Sequence, residues 1–363
     1  MNENYFDYLL SIVEWVEGEV RSYDQKLSIL EKQLKESQKD KEKTRKIQDQ
    51  IKQVKQNLRR IWTQGIEGDT RIMRVVDGVT IWWLKELPRK EDARSEVYMP
   101  LTQDVTYTIK VCNDLDFRPE FSKLPSSHQI ALQVDFELLT PWYSKDDRVF
   151  HLLDNPVRKD RVFGVPFMAA SSWKGLLRWT CRMQAGLREH LQKHKTMDGW
   201  HDPDWILHLF GNEKGEDEEF SRGALVLYPT WFDRIGFEVI NPHSRERRAG
   251  TKPIYYEVVP GRRPKKNPGE YAEGGKGTLS LLYAPWPGME FSADPKEALP
   301  KLLKALEDLL TIYGISAKRT VGWGTARIMR WRAFHKTWGK AEMDTREGIW
   351  QEVQTWLSAG GTP

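Results

Sequence analysis

The chain has 363 residues, 39% of them hydrophobic and 30% charged, with 56 Lys plus Arg against 52 Asp plus Glu for a net charge of +4. Such a balance suits a globular protein with long polar segments and is too mild to demand a polyanionic partner, so local clustering of charge carries the information. Cys112 and Cys181 form no Cys-x-x-Cys pair, and no apolar run reaches the ~20 residues that span a bilayer. A disulfide framework and a membrane partner are therefore excluded, and an acidic N-terminus without a signal-peptide pattern points to the cytoplasm.

Residues 1–64 read as helix. Leu27, Leu30 and Leu34 sit at helical spacing, and Ile47, Ile51, Val54, Leu58 and Ile61 continue the seam in steps of four and three. The polar run from Lys35 to Lys46 interrupts it, which favours two helices folded into a hairpin or coiled coil with a turn near Ser37 to Lys41. One long helix bound to a partner is the alternative. Residues 65–127 read as a small β-rich extension: Arg74 to Trp83 as two strands about Asp77-Gly78, Val105 to Val111 as another, and Asn113 to Ser127 as a loop.

The main domain is expected over 128–335. Gln129 to Leu139 alternates at period two and predicts a half-buried strand. After a polar loop, Ser171 opens a helix whose buried face is Leu176, Thr180, Met183, Leu187 and Leu191. Strands are predicted over 224–232, 253–260 and 278–283, then a helix from Pro295 to Tyr313 closed by Gly314, and a last strand over 324–331. Residues 336–363 read as a terminal helix, over Trp338 to Leu357, and a tail. The strand and helix order matches β-α-β-β-α-β, an α+β, ferredoxin-like (RRM-like) arrangement suited to RNA.

Four segments can carry chemistry. In Gly164 to Arg178, Ser171 and Ser172 open a helix whose free N–H groups and positive dipole end favour phosphate. Lys174, Arg178 and Arg182 follow four apart; a capped surface helix with solvated basic side chains is the bland alternative. Tyr313 to Gly324 sets Lys318 and Arg319 among glycines, with Gly322 and Gly324 free to take positive φ or let a ligand approach closely. It lacks Walker spacing, and a tight helix-to-strand turn explains it equally. Asp154, in Leu153 to Asp160, is either a cap on the Asn155-Pro156 turn or a carboxylate beside RNA. His243 and Arg245 lie in a basic loop, with Lys265 and Lys266 further on, either facing RNA or simply solvated; no second group makes His243 an acid–base catalyst.

These segments resemble the RAMP superfamily, the RNA-binding subunits of CRISPR effector complexes. The family's Ser-Ser-x-Lys-Gly-x-x-Arg run stands here as Ser171-Ser172-Trp173-Lys174-Gly175-Leu176-Leu177-Arg178, although Ala169-Ala170 replaces the usual Pro-Gly. The glycine-rich loop stands as Lys318 to Gly324, and Leu209-Phe210-Gly211 followed by Gly223-Ala224-Leu225 matches a third family segment. Asp154-Asn155-Pro156-Val157-Arg158 is similar to the setting of the aspartate with which type III backbone subunits cleave target RNA, whereas Asn241-Pro242-His243 is similar to a non-catalytic subunit closing Cmr-type filaments. The resemblance spans roughly residues 128 to 332.

What it implies is a subunit of a type III effector complex, with crRNA, target RNA and other CRISPR subunits as partners, in antiviral defence. Ser171, Ser172, Lys174, Arg178, Arg182, Lys318, Arg319, Gly322 and Gly324 would hold the guide, with His243 and Arg245 on a loop facing the guide–target duplex. Two versions stay open: an endoribonuclease using Asp154 with Mg2+ or Mn2+, or a structural backbone or cap. A Cas6-like guide-processing endoribonuclease and a non-catalytic interaction protein built on the helical segment are the alternatives.

Overall fold

The computed structural model describes residues 5–37, 40–64, 109–110, 117–146, 155–160, 164–212, 221–242, 253–265, 267–289 and 293–359. In chain order these form helices α1 (Tyr5–Glu36) and α2 (Lys41–Gln64), strands β1 (Ile109–Lys110), β2 (Ile130–Leu138) and β3 (Phe167–Met168), and helices α3 (Ala170–Gln184), α4 (Leu187–His194) and α5 (Asp204–Phe210). Strands β4 (Leu225–Leu227), β5 (Thr230–Trp231), β6 (Arg234–Ile240), β7 (Ile254–Val258), β8 (Arg263–Pro264), β9 (Tyr271–Ala272) and β10 (Lys276–Tyr283) follow. Helix α6 (Pro295–Asp308) runs into a π turn (Leu309–Tyr313) and a 3-10 turn (Arg319–Val321), before β11 (Ala326–His335), β12 (Gly339–Met343) and α7 (Arg346–Ala359). The chain divides into two compact units: Met1–Asn113 with Asp147–Val165 and Phe237–Glu257, and Asp114–Asp146 with Pro166–Gly236 and Val258–Pro363.

In the first unit α1 and α2 are in contact. The chain reverses between them where the polar run interrupts the seam. Thr44 Oγ1 donates to the Ser37 carbonyl at 2.8 Å, and Asp40 accepts from the backbone N–H groups of Glu42 and Lys43 at 3.1 Å each, capping α2. Ile47 is buried, while Leu27, Leu30, Leu34, Ile51 and Val54 are half-buried. Strands β1, β6 and β7 form a three-stranded sheet. Residues 155–160 are strapped to β7. Glu257 N–H donates to the Asn155 carbonyl at 3.1 Å, and the Glu257 carboxylate accepts from Val157 N–H at 3.1 Å and from Lys159 Nζ at 2.9 Å. The strand pair expected over 74–83 lies outside the described residues.

The second unit is built on a five-stranded sheet in the order β12-β11-β2-β10-β4, with every pairing antiparallel. Along the chain its core runs β2, α3, β4, β10, α6, β11, so the first strand lies between the last and the third. The alternation predicts a half-buried strand, whereas β2 is buried on both faces except at Asp135, in keeping with its central place. Ile130, Leu132, Val134, Phe136 and Leu138 are buried on one face, where Trp173 of α3 meets Phe136 edge-on with centroids 6.2 Å apart. Leu279, Leu281 and Tyr283 of β10 stand opposite Val134, Leu132 and Ile130. Leu299, Leu302, Leu303 and Leu306 of α6 are fully buried, and α6 contacts α3 and α7. On the other face Phe121 packs on Phe334 and Tyr228. Gln133 and Asp135 meet Arg332 there, and Glu137 meets Arg327.

Several boundaries differ from the sequence reading. The buried stripe of α3 is Trp173, Leu177, Arg178, Thr180 and Cys181; of the expected face Thr180 and Leu187 are buried, whereas Leu176, Met183 and Leu191 are half-buried. Trp173 sets this face, because its indole N–H donates to Thr230 Oγ1 at 3.0 Å inside the core. The expected single helix breaks at Gly186, whose φ of 101° no helix accommodates, and Leu187 starts α4. The strand expected over 224–232 is two short pieces, β4 and β5. The terminal segment begins as β12, which pairs with β11 after the turn at Gly339, and only Arg346–Ala359 is helical.

Candidate nucleic-acid interface

The glycine-rich loop is held by the strand end it faces. Just beyond β2, Leu139 N–H donates to the Thr325 carbonyl at 2.8 Å, and Thr140 Oγ1 meets Thr325 Oγ1 at 2.9 Å. Further along, Trp142 Nε1 donates to the Ile315 carbonyl at 3.0 Å, Tyr143 N–H to Ser316 Oγ at 3.0 Å, and Ala317 N–H to the Tyr143 carbonyl at 2.8 Å. The ends of the loop are thus buried and fixed, while Thr320, Val321 and Gly322 at its tip are exposed. Gly314, Gly322 and Gly324 all have positive φ. Gly322 and Gly324 serve different needs: a Cβ on Gly322 would meet open space, whereas one on Gly324 would stand 2.3 Å from Ser316 N.

Arg319 ties this loop to α3. Its guanidinium lies 4.7 Å from the centroid of the Trp179 ring, and Trp179 in turn packs edge-on against Tyr313 at 4.9 Å. Burial on the ring lowers the Arg319 pKa, and its Nη1 is buried without a hydrogen-bond partner. Lys174 lies five residues earlier on α3, roughly 7.5 Å along the axis. Partial burial first, then repulsion from Arg178 and Arg222, holds the Lys174 ammonium below the ordinary lysine pKa. Cations crowded in this way favour an incoming anion. Ser171 and Ser172 are exposed in the first turn, and the N-cap position is Ala169 without any side-chain hydrogen bond, so neither serine caps the helix. Arg222, which sequence reasoning missed, is exposed beside Lys174, held at a β-bridge with Gly211. Its one signal in the sequence is its place between Leu209 to Gly211 and Gly223 to Leu225, the third family segment.

Arg178 and Arg182 are both paired within the chain. Both guanidiniums close on Asp202: Arg178 Nε and Nη2 donate to Oδ2 at 2.9 and 2.7 Å, and Arg182 donates to Oδ1 and Oδ2 at 2.6 and 2.8 Å. Trp200 Nε1 adds a bond at 2.9 Å, and Arg178 is only 8% exposed. These arginines fasten the 195–203 connection to α3. Asp154, His243 and Arg245 lie outside the described residues, although Asn155, immediately after Asp154, is pinned through its carbonyl and through Nδ2 to the Tyr255 carbonyl. Among the described residues no group of three His, Cys, Asp or Glu side chains is placed to hold a metal ion, and no helix is long and apolar enough to cross a membrane.

Comparison with solved structures finds a chain of a cryo-EM structure of the Type III-B Cmr-beta bound to cognate target RNA. It is 11% identical with a TM-score of 0.45, covering 77% of this chain and 99% of that one. A chain of a CRISPR RNA-guided surveillance complex matches at 13% identity and TM-score 0.36 over 56% of this chain and 68% of its own. Another, from such a complex in a pre-nicking state, matches at 10% and 0.38 over 56% and 75%. No curated protein matches. The model of the RAMP superfamily matches residues 135–327, more than half of the chain and the stretch that carries α3, β4, β10, α6 and the glycine-rich loop, so the chain belongs to the RAMP superfamily.

Proposed function

We propose that this chain is a guide-RNA-holding subunit, backbone or cap, of a type III CRISPR effector complex. The observation that carries the reading is the joining of two basic segments distant in sequence. Arg319 stacks on Trp179 of the helix that presents Lys174 and the exposed serines, beside Arg222. Such a surface contacts phosphates through charge and hydrogen bonds and leaves sequence to be read by base pairing. The placement of β2 between β11 and β10, with α3 and α6 as the crossovers, supports a ferredoxin-like core. We read the α1–α2 pair as a hairpin for docking another subunit. Charge reversal tests the proposal: Lys174→Glu with Arg319→Glu is expected to weaken guide-RNA binding more than about tenfold at moderate salt with folding intact. Unchanged affinity would remove it.

A second reading, cleavage of target RNA, rests on the strapping of residues 155–160 to β7 around the buried Glu257–Lys159 pair. A fixed segment directly after Asp154 is what a positioned carboxylate needs. Asp154 would take the proton of a target 2′-hydroxyl, with Mg2+ or Mn2+ as the accompanying ion. In the assembled complex with either ion, Asp154→Ala is expected to abolish one register of cuts while target binding survives. An unchanged cleavage pattern would leave Asp154 as a turn residue and the subunit as a structural one.

A further inference from the structure

A cavity of about 490 Å³ opens at the end of the sheet away from the glycine-rich loop. Ile130 starts β2 there, opposite Tyr283 and His335, so roughly 26 Å of strand separates the cavity from Leu138 and the loop's attachment. The volume falls in the range of small-molecule sites. Its walls are planar and apolar: Tyr283, Trp356 and the Pro285-Trp286-Pro287 turn, where Trp286 is 49% exposed.

The polar groups decide what it accepts. His208 Nδ1 accepts from Ala293 N–H at 3.3 Å, so its proton sits on Nε2, 2.8 Å from Tyr283 Oη, and is donated to that oxygen. The hydroxyl proton of Tyr283, a residue 1% exposed, is then left to donate, and no acceptor for it stands among the described residues. Burial, then the nearby Asp294 charge, raises the Tyr283 pKa, so that proton stays. His335 is fully engaged: Nδ1 accepts from Thr337 and Trp338 N–H, and Nε2 donates to the Ser127 carbonyl at 2.7 Å. Asp294 and Lys296 at the rim offset each other, so no surplus of cations awaits a phosphate.

We infer that this cavity binds an uncharged planar heteroaromatic ring bearing a hydrogen-bond acceptor, a nucleobase, stacked on Trp286 and accepting from Tyr283. The base reaches it either as a free nucleoside or splayed out of a single strand. The inference stands on the cavity and not on guide binding at the basic edge.

The test is calorimetric titration of the full chain with adenosine, guanosine, cytidine and uridine, and with short single-stranded oligoadenylate and oligouridylate. Wild type is compared with Trp286→Ala, Tyr283→Phe and Lys174→Glu/Arg319→Glu. Saturable nucleoside binding is expected, weakened about fivefold by Tyr283→Phe and more than about tenfold by Trp286→Ala, and indifferent to the charge reversals. Binding of oligonucleotides alone, with the same losses, supports the inference and identifies the strand as the source. No nucleoside binding together with oligonucleotide affinities indifferent to both cavity substitutions overturns it. It is equally overturned if Trp286→Ala disrupts only assembly with other subunits, which would assign the cavity to a protein segment. Trp286 is exposed, so its variant keeps the test valid should Tyr283→Phe fail to fold.

Discussion

Asp202 accepts hydrogen bonds from three side chains at once, and two of them belong to the helix that carries Lys174. Burial alone would raise its pKa, but the bonds from Arg182, Trp200 and Arg178 outweigh that and hold the carboxyl below the ordinary value. The sign follows: a depressed folded pKa stabilises the protein fully above the unfolded carboxylate value near about 4, and that stability is lost as pH falls through the folded pKa. Removing the charge also strands two largely buried guanidiniums. Asp202→Asn is therefore expected to cost about 3 kcal/mol in urea unfolding at pH 7, with the difference from wild type shrinking as pH is lowered below 4. A difference that stays constant down to pH 2 would refute the clamp. Nothing in helical spacing forecasts this pair, because the partner of Arg178 and Arg182 stands about twenty residues on in an irregular connection. A basic stripe on a helix reads as surface until its acid is located.

Among the elements, those with strong periodicity were legible in the sequence. The alternation of residues 129–139 places β2, and the apolar repeat from Pro295 with Gly314 at its end places α6 and its π turn. Less legible were features set by tertiary partners: the face of α3 follows Trp173 reaching Thr230, and β12 exists because β11 offers it an edge. The glycine-rich loop was visible as a motif, but not the division of labour among its glycines. Gly322 needs only a left-handed backbone, whereas Gly324 needs both that backbone and the absence of a side chain. Gly322→Ala is thus expected to cost about 1 kcal/mol and to leave RNA affinity near wild type. Gly324→Ala should cost at least twice as much in urea unfolding and weaken RNA binding, because Ser316 N cannot retreat without releasing Tyr143. Equal costs for the two would show that the loop is not packed as described.

For the whole molecule, a net charge of +4 over 363 residues gives little long-range attraction, so any RNA affinity must come from cations gathered at one place. At the proposed edge these are Lys174, Arg222, Lys318 and Arg319, with Arg178 and Arg182 withdrawn to Asp202. Four phosphate contacts on a single strand predict that the logarithm of the binding constant falls against the logarithm of salt concentration with a slope of about −3. Each genuine contact removed should make that slope shallower by about 0.7. Arg222→Ala and Lys174→Ala are each expected to show that change with unfolding midpoints near wild type, since both side chains are exposed. Arg182→Ala should do the reverse, lowering stability and leaving the slope untouched. If instead Arg182→Ala flattens the salt dependence and Arg222→Ala does not, Asp202 gives up its arginine to RNA, and the interface lies along the C-terminal half of α3 and not across its first turns.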